Sequence, residues 1–158
     1  MGTTRYGRAG DARVATMVSG ADTGGRLAIL ELREVAGQEP PRHVHAHEDE
    51  IVYVQEGRLT FFIGETEHPA TAGACLLLPR GIEHGYVVES GQARLLVTLT
   101  PAGMEGYFAE ENDGRTCADL ERLIAALARY GVTITGPPPT VEDCERRRTR
   151  RSTPPIQP

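Results

Sequence analysis

Residues 37–57 read GQEPPRHVHAHEDEIVYVQEG, and this stretch carries the strongest signal in the chain. It places His43 and His45 two positions apart. Residues two apart on an extended strand project from the same face, with their backbones roughly 6.5 Å apart. The two imidazoles can therefore converge on one ion, and Glu50 adds an anionic oxygen a few residues later.

A second stretch, residues 73–84, reads GACLLLPRGIEH and supplies another candidate ligand, His84. Imidazole and carboxylate ligands suit Fe, Mn, Ni, Cu, Co or Zn and disfavour an all-oxygen Ca or Mg site. We therefore predict one divalent transition metal per chain. His47 continues the alternation of His43 and His45, so on a straight strand it competes with Glu50 for the ligand role.

The spacing of the two stretches resembles the two motifs of the cupin superfamily. The first motif is carried by Gly37, His43, His45, Glu50 and Gly57. The second is carried by Gly73, Pro79, Gly81 and His84, with Val88 where the family usually has Asn. The resemblance implies a small β-barrel that holds the metal inside through His43, His45, Glu50 and His84. It also implies that His47, Glu48 and Asp49 lie nearer the rim and that Glu50 acts as a general base as well as a ligand.

From residue 12 to about residue 100 the chain is a succession of short strand-like segments with Gly, Pro or acidic breaks, which is typical of a sandwich or barrel. Gly57 lies between two such segments and predicts a hairpin corner. After residue 100 the pattern changes, and a capping box at Thr116 and Asp119 predicts a helix that ends at Tyr130. We expect an all-β fold, a cupin-type jelly-roll barrel with a C-terminal helix packed on it. The expected organisation is one domain over residues 1–138, with the metal-binding barrel at about 27–100, a helical segment at 101–135, and a flexible Arg/Pro-rich tail at 139–158.

Composition excludes several classes of function. All 17 basic residues are Arg, so lysine Schiff-base chemistry and covalently bound pyridoxal phosphate are excluded. A net charge of −5 disfavours a nucleic-acid partner. Three cysteines without a C-x-x-C pair disfavour a disulfide framework or a thiolate zinc site. No run approaches the ~18 apolar residues of a membrane helix, and the N-terminus lacks a signal-peptide core, so we predict a cytoplasmic protein without a membrane partner.

Residues 100–108 and 128–138 also resemble the C-terminal part of single-domain cupins named quercetin dioxygenase-like. This resemblance implies a metal-dependent oxidoreductase, a dioxygenase that uses O₂ on a small oxygen-rich aromatic or diketone substrate. One alternative is a non-redox metal-dependent cyclase or isomerase of aromatic polyketides. Another is a non-catalytic cupin that binds a small molecule. Because barrel edges in these domains commonly pair across a two-fold axis, we expect a homodimer.

The walls of the substrate pocket are expected to come from the strands that carry the ligands. Tyr86 has the same strand parity as His84, and Phe61 belongs to the set of its strand that looks inward. Tyr53 and Tyr86 are candidate hydrogen-bond donors to a bound oxyanion. We therefore predict a pocket formed by Tyr53, Phe61 and Tyr86.

Overall fold

The computed structural model describes residues 6–9, 12–111 and 120–152. Two antiparallel sheets dominate this part of the chain. The strands are β1 Tyr6–Ala9, β2 Ala12–Val18, β3 Ala28–Val35, β4 Arg42–His45, β5 Asp49–Glu56, β6 Arg58–Ile63, β7 Thr66–Thr71, β8 Cys75–Leu78, β9 His84–Val88, β10 Gln92–Thr100 and β11 Val132–Gly136. The helices are α1 Gly20–Thr23, α2 Glu105–Glu111, α3 Leu120–Ala128 and α4 Val141–Ser152.

The larger sheet has the order β1-β2-β3-β10-β5-β8, and the smaller has the order β11-β4-β9-β6-β7. Alternating apolar residues face the space between the sheets, as β10 illustrates: Ala93, Leu95, Val97 and Leu99 are buried, whereas the residues between them are only partly so. This period of two is what a sheet with one core-facing side requires. The core is therefore enclosed by both sheets, and the predicted all-β jelly-roll class is confirmed.

Strand β7 gives a weak strand signal in the sequence, because its sequence, TEHPAT, is polar and contains Pro69. Proline lacks the backbone N–H that a central strand needs, so it is confined to edge strands and bulges. In the structure β7 is the edge of the smaller sheet, which is a position that tolerates Pro69.

Gly57 does not form the predicted hairpin corner. Strand β5 belongs to the larger sheet and β6 to the smaller, so the chain crosses between sheets at this residue. Gly57 has a φ of 98°, and a Cβ built there would lie 2.7 Å from the backbone oxygen of Gln92. The crossing therefore requires glycine both for its backbone angle and for the close approach of the neighbouring chain.

Gly57→Ala is expected to destabilise the fold by about 2–4 kcal/mol, because the positive φ and the steric overlap both oppose a side chain. Gly73→Ala is the matched control. Gly73 has a φ of 92° but no atom within 4 Å of the added Cβ, so only the backbone strain of about 1–2 kcal/mol applies. Urea denaturation of the two variants measures the difference, and equal losses would contradict the steric argument.

The C-terminal region departs from the prediction. The expected flexible tail at 139–158 contains α4, which begins with a capping box in which Thr140 and Asp143 exchange hydrogen bonds. Cys144 of this helix is buried against Phe62 on the outer face of the smaller sheet. The tail prediction is therefore wrong for residues 141–152, and residues 153–158 lie outside the described part.

Helix α3 agrees in position with the helix predicted for residues 116–130, although Thr116 and Asp119 lie outside the described residues. Leu123 and Leu127 of this helix pack on the core. Helices α2 and α3 together cover one end of the space between the sheets, where Met104, Tyr107 and Phe108 also contribute to the core.

Candidate metal centre

Strand pairing brings the three histidines together. Strands β4 and β9 are neighbours in the smaller sheet, and their register places His43 directly opposite His84. His45 lies two residues after His43 on β4 and therefore projects from the same face. Glu50 approaches from β5 of the larger sheet, with an Oε1 that lies 3.4 Å from His45 Nε2 and an Oε2 that lies 3.5 Å from His84 Nε2. The fold thus places the four predicted ligands in one cluster.

One ring nitrogen from each of His43, His45 and His84 lies within 4.8 Å of the others. His43 Nδ1 is 2.7 Å from the carbonyl oxygen of Pro41, and His84 Nδ1 is 3.1 Å from that of Ile82. A carbonyl oxygen can only accept, so each Nδ1 carries the hydrogen and each Nε2 keeps its lone pair. This is how proteins fix the tautomer of a metal-binding histidine.

The pKa values of His43 and Glu50 suit a metal site. Desolvation and the neighbouring His84 ring lower the pKa of His43 to about 4, so this imidazole is neutral at pH 7. Desolvation raises the pKa of Glu50, but the adjacent His84, His45 and His43 rings outweigh it and bring that pKa down to about 2. Neutral imidazoles and an ionised carboxylate are the protonation states that coordinate metals.

Unpaired buried nitrogens give an independent test of whether these residues fit a metal. His45 is 1% exposed and His84 is 2% exposed. Among the described residues, neither ring nitrogen of His45 nor His84 Nε2 has a hydrogen-bond partner. Buried polar atoms are almost always paired, and an orphaned one requires an explanation. An ion bound by three nitrogens and one oxygen explains one nitrogen of each ring, and this donor set fits a divalent transition metal.

Glu48 is a residue that sequence reasoning assigned to the rim and that the structure buries. It is 3% exposed, and its Oε2 lies 3.5 Å from His45 Nδ1. A carboxylate behind a ligand histidine orients the ring and increases its basicity. The spacing of three residues from His45 is a weak signal for this role, because it depends on the turn between β4 and β5.

His47 lies outside the cluster. Its side chain is exposed, and its ring lies so close to Gly131 that a Cβ on that glycine would be 2.5 Å from His47 Cδ2. The chain leaves the extended conformation after His45, so the alternation that made His47 a competitor does not continue.

The cluster opens on a cavity of about 310 Å³ between the two sheets. Its walls are mainly apolar, and Phe61 and Tyr86 are among the lining residues. Met104, Tyr107 and Phe108 line it from the end that α2 and α3 cover. The histidine cluster therefore lies in the wall of an apolar enclosure large enough for a small molecule.

The prediction that Tyr53 lines the pocket is wrong. Tyr53 is 43% exposed and is absent from the cavity wall, whereas its neighbours Val52 and Val54 are buried. Successive residues of a strand face opposite sides of the sheet, and Tyr53 has the opposite parity to Glu50 on β5. Its ring therefore lies on the outer face of the larger sheet.

Comparison with known proteins identifies the domain. Residues 32–99 match the protein family described as Cupin domain. Protein SchB of Streptomyces halstedii is 29% identical over 96 residues, which cover 60% of this chain and 68% of SchB. Polyketide synthase CurC of Streptomyces cyaneus is 31% identical over 96 residues, which cover 60% of this chain and 61% of CurC.

Solved structures agree on the fold. An RmlC-like cupin from Shewanella frigidimarina superimposes with a TM-score of 0.57 at 21% identity, covering 66% of this chain and 89% of that protein. Streptomyces PAC13 with uridine gives a TM-score of 0.54 at 14% identity, covering 65% of this chain and 79% of PAC13. Residues 32–99 thus match a cupin domain, and the chain has the cupin fold. None of the helices in the described residues has the length and apolar character needed to span a bilayer.

Proposed function

We propose that this cupin domain is a metal-dependent enzyme that closes rings in poly-β-ketone substrates without using O₂. The observation that carries the proposal is the buried cluster of His43, His45, His84 and Glu50 at the wall of an apolar cavity. Similarity to a polyketide synthase, CurC, supports the substrate class. The quercetinase-like dioxygenase implied by the sequence resemblance is the second candidate.

The four residues of the cluster would hold one divalent transition metal ion, of the group Fe, Mn, Ni, Cu, Co and Zn. Such an ion, when bound, supplies a Lewis acid that polarises a carbonyl oxygen of the substrate. Four protein ligands leave one or two positions of a five- or six-coordinate ion available, which a catalytic site requires.

The surrounding residues bind the substrate and exclude water. Leu30, Val97 and Leu99 present apolar surface to the cavity, and Phe61 offers an aromatic ring. A dry cavity strengthens electrostatic interactions and suppresses hydrolytic side reactions. The low pKa of Glu50 makes its carboxylate a permanent anion and a weak base, so we assign it to holding the metal and not to taking the substrate proton.

Ring closure itself needs no oxidant. A C–H next to a carbonyl loses its proton, the carbon forms a bond to the carbon of a second carbonyl of the same chain, and that carbonyl oxygen takes up a proton. Loss of water and enolisation of the remaining ketones then give the aromatic ring. The dioxygenase alternative instead adds both atoms of O₂ to the substrate. It remains a candidate because three imidazoles and one carboxylate also bind redox-active Fe, Mn and Cu.

Activity with and without O₂ separates the two candidates. Zinc-loaded and iron-loaded protein are each supplied with heptane-2,4,6-trione, which forms 5-methylresorcinol and water on ring closure, and with 3-hydroxyflavone. We expect accelerated 5-methylresorcinol formation at the same rate with and without O₂. One O₂ consumed per flavonol or triketone would favour the dioxygenase instead. Equal rates from the wild type and His84→Ala would contradict a metal-dependent reaction of either kind.

We also propose that the chain forms a homodimer through the outer face of the larger sheet. Ile51, Tyr53 and Leu77 are exposed there, and the register of β5 and β8 places Ile51 beside Leu77. Among the described strands, β8 is an edge of that sheet and has a neighbouring strand on one side only. The apolar face therefore extends to the edge of the sheet. Sedimentation velocity tests the proposal: the mass of two chains supports it, and that of one chain contradicts it.

A further inference from the structure

A second polar group lies in the wall of the same cavity, apart from the histidine cluster. Glu34 belongs to β3, where Leu30, Leu32 and Glu34 share one face and all line the cavity. Tyr86 lines it from β9, two residues after His84. The Tyr86 hydroxyl lies close enough to the Glu34 carboxyl to lower the pKa of that carboxyl, but the contact does not have the geometry of a full hydrogen bond.

Glu34 differs from Glu39, another carboxylate in the cavity wall. Both oxygens of Glu39 accept hydrogen bonds of 2.8 Å from backbone amides, those of Gly37 and Val88, so this side chain holds the backbone in place. Glu34 is 4% exposed, and no ion pair or backbone hydrogen bond to it is seen in the described part of the chain. A buried carboxyl without a cation is costly unless something else uses it.

The hydroxyl of Tyr86 also lacks a well-formed hydrogen bond. Its side chain is 7% exposed, and its buried hydroxyl has no hydrogen-bond partner of good geometry among the described residues. A buried hydroxyl that loses its bonds to water without gaining another destabilises the protein. An oxygen of a molecule in the cavity would satisfy it.

The ionisation of Glu34 adds a chemical capability. Burial raises the pKa of Glu34 to about 7, the Tyr86 hydroxyl opposes this shift, and the negative charge of Glu39 adds to it. Near neutral pH the carboxyl therefore exists in both forms. It can donate a hydrogen bond to a carbonyl oxygen or accept one from a hydroxyl.

We propose that Glu34 and Tyr86 form a second binding site in the cavity, which hydrogen-bonds a hydroxyl or carbonyl oxygen of an aromatic ligand while another oxygen of the same molecule lies at the metal centre. The aromatic ligand class rests on the proposed function, whose ring closure yields an aromatic product. The pair of sites selects ligands with two oxygen groups on one flat framework over ligands with only one. Aromatic compounds that have two rings and a hydroxyl on each ring are of this kind.

Affinities of naphthols measure this selectivity without turnover. Isothermal titration calorimetry on the zinc-loaded full chain compares 1-naphthol and 2-naphthol with 1,5-, 2,6- and 2,7-dihydroxynaphthalene. We expect at least one diol to bind about three- to tenfold more tightly than its mono-hydroxy counterpart, which is the gain of one added hydrogen bond. Glu34→Leu should abolish the gain, Tyr86→Phe should reduce it, and Glu34→Gln should retain part of it because an amide still hydrogen-bonds.

Glu31→Gln serves as the control. Glu31 lies on the same strand as Glu34 but bonds Arg33 and does not line the cavity, so the gain should be unchanged. The proposal is overturned if no diol binds the wild type more tightly than its counterpart, absence of binding included, or if the gain persists in Glu34→Leu. Selective binding without ring closure would leave this proposal standing and count only against the proposed reaction.

Discussion

His84→Ala and His45→Ala are each expected to lower metal affinity by at least about 100-fold. Loss of a residue that merely supports a ligand costs 10–100-fold, and these variants remove a ligand nitrogen itself. Elemental analysis after dialysis should then find close to one metal per chain in the wild type and almost none in either variant. Both rings are buried, so circular dichroism must accompany the measurement to show that the variants remain folded.

His47→Ala is the matched control for these variants. It removes the same type of side chain from the same stretch of sequence, but His47 is exposed and lies outside the cluster. Metal content should therefore equal that of the wild type. Loss of metal from His47→Ala to the same extent as from His84→Ala would place His47 among the ligands and contradict the assignment of Glu50.

Glu34→Gln is expected to stabilise the metal-free protein by about 1–3 kcal/mol at pH 8 and to have little effect at pH 5. The pKa of Glu34 is about 7 in the folded protein against an ordinary value of 4.5. Between these values the folded state binds more protons than the unfolded state, so wild-type stability falls as the pH rises through this window. Glutamine resembles the protonated carboxyl and does not titrate, so the variant escapes this loss.

Urea denaturation of the wild type and Glu34→Gln at pH 5 and pH 8 tests this expectation. Effects on all other titrating groups are common to both proteins and cancel in the difference. A difference in stability that is the same at both pH values would show that Glu34 does not change its protonation state in this range.

The barrel and the metal cluster follow from the sequence because they depend on strand parity and on motif spacing. His43 and His45 share a face at a spacing of two, and β10 shows the same alternation in its buried residues. Tyr53 could have been excluded by the same rule, since it differs in parity from Glu50. The prediction relied on the hydrogen-bonding hydroxyl of Tyr53 and did not use the face of β5 on which this residue lies.

Glu34 and Glu48 were missed for a different reason. Acidic residues are almost always exposed, so residue type did not suggest burial. Glu34 lies in the run ELREV near the charged Glu31 and Arg33, although its strand parity is that of Leu32. Strand parity could therefore have placed Glu34 on the inward face. Helix α4 was missed because its charged sequence lacks an apolar stripe, and Cys144 gives little indication of the contact with Phe62.

X-ray absorption spectroscopy of the metal-loaded protein tests the central claim most directly. We expect one ion with three imidazole nitrogens and one carboxylate oxygen at about 2.0–2.2 Å, together with one or two further light atoms. The imidazole signal should decrease by one ligand in any His84→Ala protein that still retains metal, and stay constant in His47→Ala. Coordination by fewer than three imidazoles in the wild type would contradict a metal centre formed by His43, His45, His84 and Glu50.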